Sequence, residues 1–414
     1  MSALKDTDIA RIRAEFPMLR NTAAMQGKRF CYLDTAATAL KPDCVIAAQD
    51  AYYQTWTANT HRGDYDLGHE ADVRYQAARQ TAADFIGAES ADEVIFTSGC
   101  TAAINLVAQG LFERIQLGDE IVTDQAEHAS NLLPWFRLAR LRGAKVVFAD
   151  LDDEGRLTPA AVRAVLTPRT RILAFARITN VLGSVNDAQA LCALAREASI
   201  LSLVDAAQSV GCEVTDVQRI GCDFLCFSGH KMYGPTGIGV LYGRKEALEL
   251  LDPPVVGGGM NARFYPAGDY TLEELPLRLE AGTQNIAGAA GLAAACQFIQ
   301  RIGAERIGQR ERQLKDRVVA RIATIKGVRI LNPHSPTGIL TFVVDGIPAQ
   351  DEGTFLNSKG ICVRSGLHCA KILPSVPATG TVRASFGVYS DEEDAEQLAA
   401  ALEKGGDILD AYFA

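Results

Sequence analysis

The sequence has no C-x-x-C pair, no Cys/His spacing of the kind that grips zinc, and no cluster of Lys and Arg. The first two absences leave no motif for a metal site or a dithiol redox pair. The third, with a net charge of -9 and a pI near 5.3, argues against a nucleic-acid binder, because phosphate affinity needs concentrated cations. Long apolar runs are missing too. The longest, Ile286 to Cys296, is rich in small residues and too short to span a bilayer. The N-terminus, MSALKDTDIARIRAEFPML, lacks an apolar signal core, and Asp6, Asp8 and Glu15 are out of place in a mitochondrial presequence. A cytoplasmic location without membrane contact is the expectation.

What is present is ordinary for a globular protein: 414 residues, 48% hydrophobic and 22% charged, enough for two domains. Ten cysteines are scattered along the chain; in this setting they are expected to be reduced, most of them as small core residues. Ile9, Ile12 and Phe16 fall on one face of a short N-terminal helix.

Strands are expected at Glu93-Thr97, Glu120-Thr123, Lys145-Phe148, Arg171-Ala176, Leu201-Val204 and Phe224-Phe227. Helical patterns lie between them at Thr101-Phe112, Leu132-Arg142, Pro159-Val165 and Asp187-Glu197. This alternation implies an α/β fold with a mostly parallel sheet covered on both faces. Val256-Leu277 breaks the rhythm and reads as an extended loop or hairpin, followed by a helical stretch from Ala289 to Val319. Strands at Val328-Leu331, Ile339-Val344, Gly360-Arg364 and Thr381-Ser385, with a helix near Gln350-Lys359, suggest a smaller α+β domain. A capping box, Ser390-x-x-Glu393, opens the last helix, which Gly405 and Gly406 weaken. The expected division is an N-terminal segment 1–20 packing on the small domain, a large domain 21–290 and a small domain 291–414.

Three segments carry candidate chemistry. Ser228-Gly229-His230-Lys231 follows a buried strand and precedes a glycine-rich run to Gly239. An isolated lysine in a loop is usually solvated; one beside Ser228 and His230 also suits Schiff-base chemistry with phosphate ligands at hand. Asp205 closes an apolar strand, where it can either cap the next helix or face a pyridine nitrogen and keep it protonated. Thr97-Ser98-Gly99-Cys100-Thr101 is a strand, a turn and a helix start. Alone it is explained by capping; with Ser228 and His230 it makes a plausible phosphate cup.

The segments SGHKMYGPTGIG, VDAAQ, SGCTAAINLVA, EHASNLLPW, TNVLG, LEAGTQN, VRSGLHCA and TVRASF resemble, in order, those of group II cysteine desulfurases, the Suf-type enzymes and cysteine sulfinate desulfinases. The likeness runs from Tyr32 to the final helix. It implies a fold-type I scaffold with a seven-stranded sheet in the large domain, and pyridoxal 5'-phosphate as cofactor. It further implies that Lys231 holds the cofactor and moves protons, Asp205 pairs with its ring nitrogen, and Gln208 and Asn180 lie near its phenolic oxygen. His128 would stack on the ring; Cys100, Thr101, Ser228 and His230 would surround the phosphate, with Thr283 contributed by the partner of a homodimer. Arg383 would fork onto the substrate carboxylate, with Arg364 and Asn180 nearby. Cys369 matches the sulfur-accepting cysteine, and positive charge from Arg364 and His368 would favour its thiolate.

The activity implied is removal of sulfur from L-cysteine, giving L-alanine and a Cys369 persulfide. A small acceptor protein would take the sulfur onward, for iron-sulfur cluster assembly or other traffic. Selenocysteine lyase or cysteine/cystine C-S lyase chemistry uses the same scaffold, and a sulfur-relay scaffold is the non-enzymatic alternative. Two positions depart from the family pattern. Leu367 stands where a His or Gln usually precedes the His-Cys pair, and Gln284 replaces a Pro after Ala-Gly-Thr.

Overall fold

In the computed structural model, which describes residues 4–21, 27–61 and 63–403, the apolar runs assemble into two main sheets. The strands in chain order begin with β1 (Cys31–Tyr32), β2 (Val94–Thr97), β3 (Glu120–Thr123) and β4 (Lys145–Phe148). They continue with β5 (Thr170–Ala176), β6 (Leu201–Asp205), β7 (Phe224–Ser228) and β8 (Gly239–Gly243). Strands β2 to β8 form a seven-stranded sheet in the order β2-β8-β7-β6-β5-β3-β4, in which β8 alone runs against its neighbours. The other six strands point the same way, so Thr97, Thr123, Ala176, Asp205 and Ser228 close their strands at one edge of the sheet. In open parallel sheets, ligand sites form in the loops beyond that edge.

Strand β8 has no counterpart among the strands expected from the sequence. Only Val240, Leu241 and Tyr242 separate its two glycines, too short a run to register as a strand. Gly239 is required by close approach: a Cβ there would lie 2.5 Å from the Phe227 carbonyl oxygen and 2.6 Å from Gly99 Cα. The turn after β2 therefore crosses directly over the ends of β7 and β8.

The hairpin β9 (Asn261–Phe264) and β10 (Tyr270–Leu272) falls inside the excursion expected at Val256-Leu277 and stands largely exposed. The second sheet is antiparallel, with β11 (Val328–Ile330), β12 (Ile339–Val344), β14 (Arg364–Gly366) and β15 (Thr381–Ser385) in the order β11-β12-β15-β14. The segment read as one strand, Gly360-Arg364, divides into β14 and β13 (Ile361–Cys362), and β13 pairs in parallel with β1. Cys31 and Leu33 accordingly pack with Leu340, Phe342, Phe355 and Ala384. Residues 31–34 thus pair and pack with the C-terminal strands, and a two-residue strand leaves no periodicity to read.

Other differences are local. The long helical stretch is two helices, Ile286–Ile302 and Ala304–Ile322, divided at Gly303 with φ +96°. The last helix, Glu392–Glu403, is capped one residue later than expected: Asp391 and Asp394 exchange side-chain acceptors for each other's backbone N–H. Gly405 and Gly406 lie outside the described residues. Helices Asp43–Thr55 and Asp66–Ile86 have no counterpart among the expected elements; half of the buried residues of the second are alanine, which weakens its apolar periodicity. The N-terminal helix Asp6–Ala14 bridges both parts. Phe16 meets the rings of Tyr233, Phe298 and Tyr389, while Arg13 bonds Asp394 at 2.8 Å.

The edge strand β2 is closed by side chains. Glu280 accepts the Phe96 N–H at 2.6 Å, and Arg79 donates to the Val94 carbonyl at 2.7 Å, which removes free ladder groups from the edge. Arg79 and Glu280 pair at 2.6 Å with essentially no solvent exposure, and Tyr75 adds a hydroxyl to the same carboxylate. Glu280→Ala leaves the guanidinium buried without its anion and is expected to cost about 3–5 kcal/mol. Urea unfolding monitored by circular dichroism measures this; a loss under about 1 kcal/mol, the surface-pair range, would contradict it.

Candidate active site

Lys231 ends a single 3-10 turn, Gly229–Lys231, that follows β7 directly. Two residues on, Tyr233 takes the left-handed conformation, φ +66°, that side chains other than glycine seldom adopt. Its hydroxyl donates to the buried Glu311 at 3.2 Å and accepts the Val388 N–H at 3.1 Å, so the turn is tied to the C-terminal part of the chain. Burial pulls the Lys231 amine below its usual pKa, and the Asp205 carboxylate opposes that shift. Asp205 closes β6; its Oδ1 accepts the Ala207 N–H at 2.9 Å and the Cys100 thiol at 3.4 Å. Gln208 donates to the Ala36 carbonyl at 2.9 Å.

The turn after β2 brings the expected anion ligands together. Gly99 has φ +150°, and the Cys100 N–H donates to Ser228 Oγ at 2.8 Å. Thr101 Oγ1 lies 2.6 Å from Ser130 Oγ, which lies 2.9 Å from His128 Nδ1. Ser130 is thus a link that the sequence reading missed, although it stands in the quoted EHASN segment. His128 Nδ1 also accepts the Ser130 N–H at 3.1 Å, which leaves Nε2 as the protonated nitrogen of a neutral ring. Burial, then the Lys231 charge, lowers the His128 pKa, which favours that neutral ring. His230 is pushed down to about 4 by burial and by Lys231 and Lys41, so it can offer one N–H but no charge to an anion.

From the second sheet comes Arg383, on β15. It is 2% exposed, donates to the Asn180 carbonyl at 2.8 Å and lies 3.6 Å from Asp34. Its Nε has no acceptor, and Asn180 Oδ1 has no donor. Both are buried polar atoms oriented without a partner, the signature of a site built for something else to complete. Burial holds the Arg383 pKa down at about 10. Arg364 is held by Asp34 at 2.9 Å and remains about half exposed.

Cys369 is exposed at the tip of a turn in which His368 and Cys369 both have positive φ, +49° and +58°. Three bonds fix this strained backbone: Asn180 Nδ2 donates to the His368 carbonyl at 2.7 Å, Ala129 N–H to the Cys369 carbonyl at 2.9 Å, and Ala370 N–H to the Leu367 carbonyl at 2.9 Å. Of the two charges expected beside the thiol, only that of His368 is corrected here. His368 is buried against Thr381 and pushed down to about 3 by burial and by Arg383, so it is neutral at neutral pH. Arg364, paired with Asp34, and Arg383 both remain within electrostatic range of Cys369. Thr283 is exposed in the loop before helix Ile286–Ile302, where Gln284 donates to the Ala281 and Gly282 carbonyls.

Comparison with known proteins places the chain in a family. The family described as aminotransferase class-V matches residues 31–398. A probable cysteine desulfurase of Halalkalibacterium halodurans is 41% identical over 95% of this chain and 97% of its own length. A cysteine desulfurase of Klebsiella pneumoniae is 40% identical over 96% and 98%. Among solved structures, the cysteine desulfurase CsdA of Escherichia coli in an S-sulfonic acid form superposes with a TM-score of 0.89 at 36% identity, covering 97% of this chain and 98% of that one. The apo cysteine desulfurase of Thermococcus onnurineus gives 0.90 at 38% identity, covering 98% of each.

The unfilled Nε–H of Arg383 makes a prediction about ligands. Arg383→Lys keeps the charge but loses the planar fork, so a small amino-acid carboxylate should bind about tenfold or more weakly. Titration of the cofactor-loaded protein with a non-reacting amino acid measures this. Unchanged affinity would mean that Arg383 is structural.

Proposed function

The chain belongs to the class-V aminotransferase family and is a cysteine desulfurase by full-length likeness, and on that premise we propose that Cys369 receives the sulfur of L-cysteine beside a cofactor held on Lys231. The observation that carries the proposal is the Cys369 turn. A surface thiol held in a strained conformation, with backbone bonds to Ala129 and to Asn180, is positioned and not merely exposed.

The class to which the chain belongs depends on pyridoxal phosphate, and the residues present fit that group. Asn180 Oδ1 and Arg383 Nε are buried without partners, and a Cβ at Gly99 would come within 3.2 Å of Ser228 Oγ, so the turn is kept open. Lys231 would bind the cofactor covalently and Asp205 would face its ring nitrogen. Gln208 and Asn180 would reach its phenolic oxygen, and His128 would cover its face. Cys100, Thr101, Ser228 and His230 would receive the phosphate, with Thr283 of a second subunit in a homodimer. When bound, pyridoxal phosphate supplies the electron sink that acidifies Cα–H and loosens the Cβ–S bond of an amino acid.

The chain's own groups do the rest. Arg383 receives the substrate carboxylate on its free Nε–H, which orients the amino acid with Cα toward Lys231 and its sulfur toward the Cys369 turn. The Lys231 amine, its basicity lowered by burial, is suited to take and return the Cα proton. The Cys369 thiolate attacks the substrate sulfur; the S–S bond forms as Cβ–S breaks, the electron pair stays with carbon, and protonation there completes alanine. The persulfide left on Cys369 passes to the thiolate of a small acceptor protein, since the turn is open to solvent. A cytoplasmic setting and supply of sulfur for iron-sulfur clusters belong to the same reading.

Two variants test it. Lys231→Ala should abolish alanine release, while Cys369→Ser should retain the cofactor absorbance and lose alanine release from cysteine by about 100-fold or more, an alcohol being a poor nucleophile toward sulfur. Chromatographic assay of alanine and pyruvate decides the outcome. Undiminished alanine from Cys369→Ser would remove Cys369 as acceptor, and pyruvate as the main wild-type product would favour a lyase.

A further inference from the structure

After β1 the chain runs from Asp34 to Lys41, and on the way it meets three of the residues expected in the site. Asp34 bonds Arg364 at 2.9 Å and lies 3.6 Å from Arg383. The Ala36 carbonyl accepts Gln208 Nε2–H at 2.9 Å. Farther on, three donors converge on the His230 carbonyl: the Ala39 N–H at 2.8 Å, Lys41 Nζ at 3.1 Å and Thr38 Oγ1 at 3.3 Å. A carbonyl oxygen has two lone pairs, so this one is more than fully occupied.

That oxygen belongs to the peptide bond joining His230 to Lys231. The peptide unit is planar, so holding its carbonyl also sets the direction in which the chain enters the Lys231 Cα. The start of the turn is held from the other side. The Gly229 N–H donates to the Ile238 carbonyl at 2.9 Å, and the Gly229 carbonyl accepts the Met232 and Gly234 N–H groups at 3.0 and 2.9 Å. Lys41 is half-buried, and besides His230 it donates to the Ala39 carbonyl and to Thr38 Oγ1, the latter at 3.2 Å. All three acceptors are neutral oxygens. Burial brings the Lys41 pKa down to about 8, so at neutral pH it keeps its proton and donates as an ammonium, the stronger kind of donor.

We propose that Lys41 is a positioning residue: with Thr38 it holds the His230–Lys231 peptide, so that the Lys231 amine meets the cofactor and the amino acid from a fixed direction. The inference rests on the reading of Lys231 as the residue that binds the cofactor. Arg383 is fixed separately, by the Asn180 carbonyl at 2.8 Å and by Asp34, so a substrate carboxylate keeps its ligand when Lys41 is removed. Loss of Lys41 therefore acts on the steps that Lys231 performs, bonding the cofactor and moving the Cα proton, and not on the hold on the amino acid.

Lys41→Met and Thr38→Val, made in the full chain, test this. Methionine keeps an apolar stem and loses the ammonium; valine keeps the shape of threonine and loses the hydroxyl. One readout is the rate at which protein stripped of cofactor bonds added pyridoxal phosphate, followed by absorbance and located by borohydride reduction and peptide mass spectrometry. The other is alanine release from cysteine. Lys41→Met, with native circular dichroism, should slow both the bonding and kcat about tenfold or more while KM stays within about twofold. Thr38→Val should slow them about threefold in the same pattern. A wild-type bonding rate and kcat in Lys41→Met, or a loss confined to KM, overturns the inference; where Lys41→Met fails to fold, an unaltered Thr38→Val overturns it. Reduced cofactor found on a residue other than Lys231 in the wild type overturns the site reading and the inference with it. A wild type that releases no alanine overturns the desulfuration reading alone, and the bonding rates still decide the role of Lys41.

Discussion

A guanidinium cannot be carried into a protein interior without oxygen atoms to receive its N–H groups, and Arg383 is 2% exposed. Its acceptors come from elsewhere in the chain: the Asn180 carbonyl from the loop after β5, and Asp34 from the segment after β1. That requirement joins the two sheets. Asn180 spends its carbonyl on Arg383 and its amide N–H on the His368 carbonyl, so a single residue of the large sheet fixes both the buried arginine and the turn that carries Cys369. The Tyr233 hydroxyl makes a second such connection, between the Lys231 turn and the C-terminal residues Glu311 and Val388.

The charges at this junction follow from burial. Burial lowers the basicity of both Lys231 and Arg383, and the carboxylates of Asp205 and Asp34, respectively, oppose that shift. The three histidines nearby are driven toward the neutral form first by desolvation, and then by Lys231 at His128 and His230 and by Arg383 at His368. The site therefore sets the buried Arg383 guanidinium among uncharged imidazoles, an arrangement suited to an anionic group. Cys369 owes its placement to backbone bonds and not to a neighbouring imidazolium.

Much of this was legible in the sequence, unevenly. Six of the seven large-sheet strands were read because their apolar runs are bounded by turn residues; β8 was not, since glycines at both ends hide a three-residue core. Lys231, Asp205 and the Gly99 turn stood out because a charged or flexible residue closes an apolar strand. Asp34 and Ser130 did not, because their significance lies in partners distant in sequence. The pairing of β1 with β13 spans more than 300 residues, beyond any local pattern. The expected charge on His368 failed for a related reason: its burial is created by β15, which the local motif does not contain.

The central claim is that one cysteine, placed by Asn180 and Ala129, takes sulfur directly from the substrate. The most direct test is mass spectrometry of peptides from the cofactor-loaded enzyme, quenched after a single turnover with L-cysteine and no acceptor. The account predicts the added mass of one sulfur atom on the peptide containing Cys369, in step with the alanine formed, and unmodified peptides for the buried cysteines such as Cys100 and Cys226. Alanine formed while the Cys369 peptide stays unmodified would contradict it.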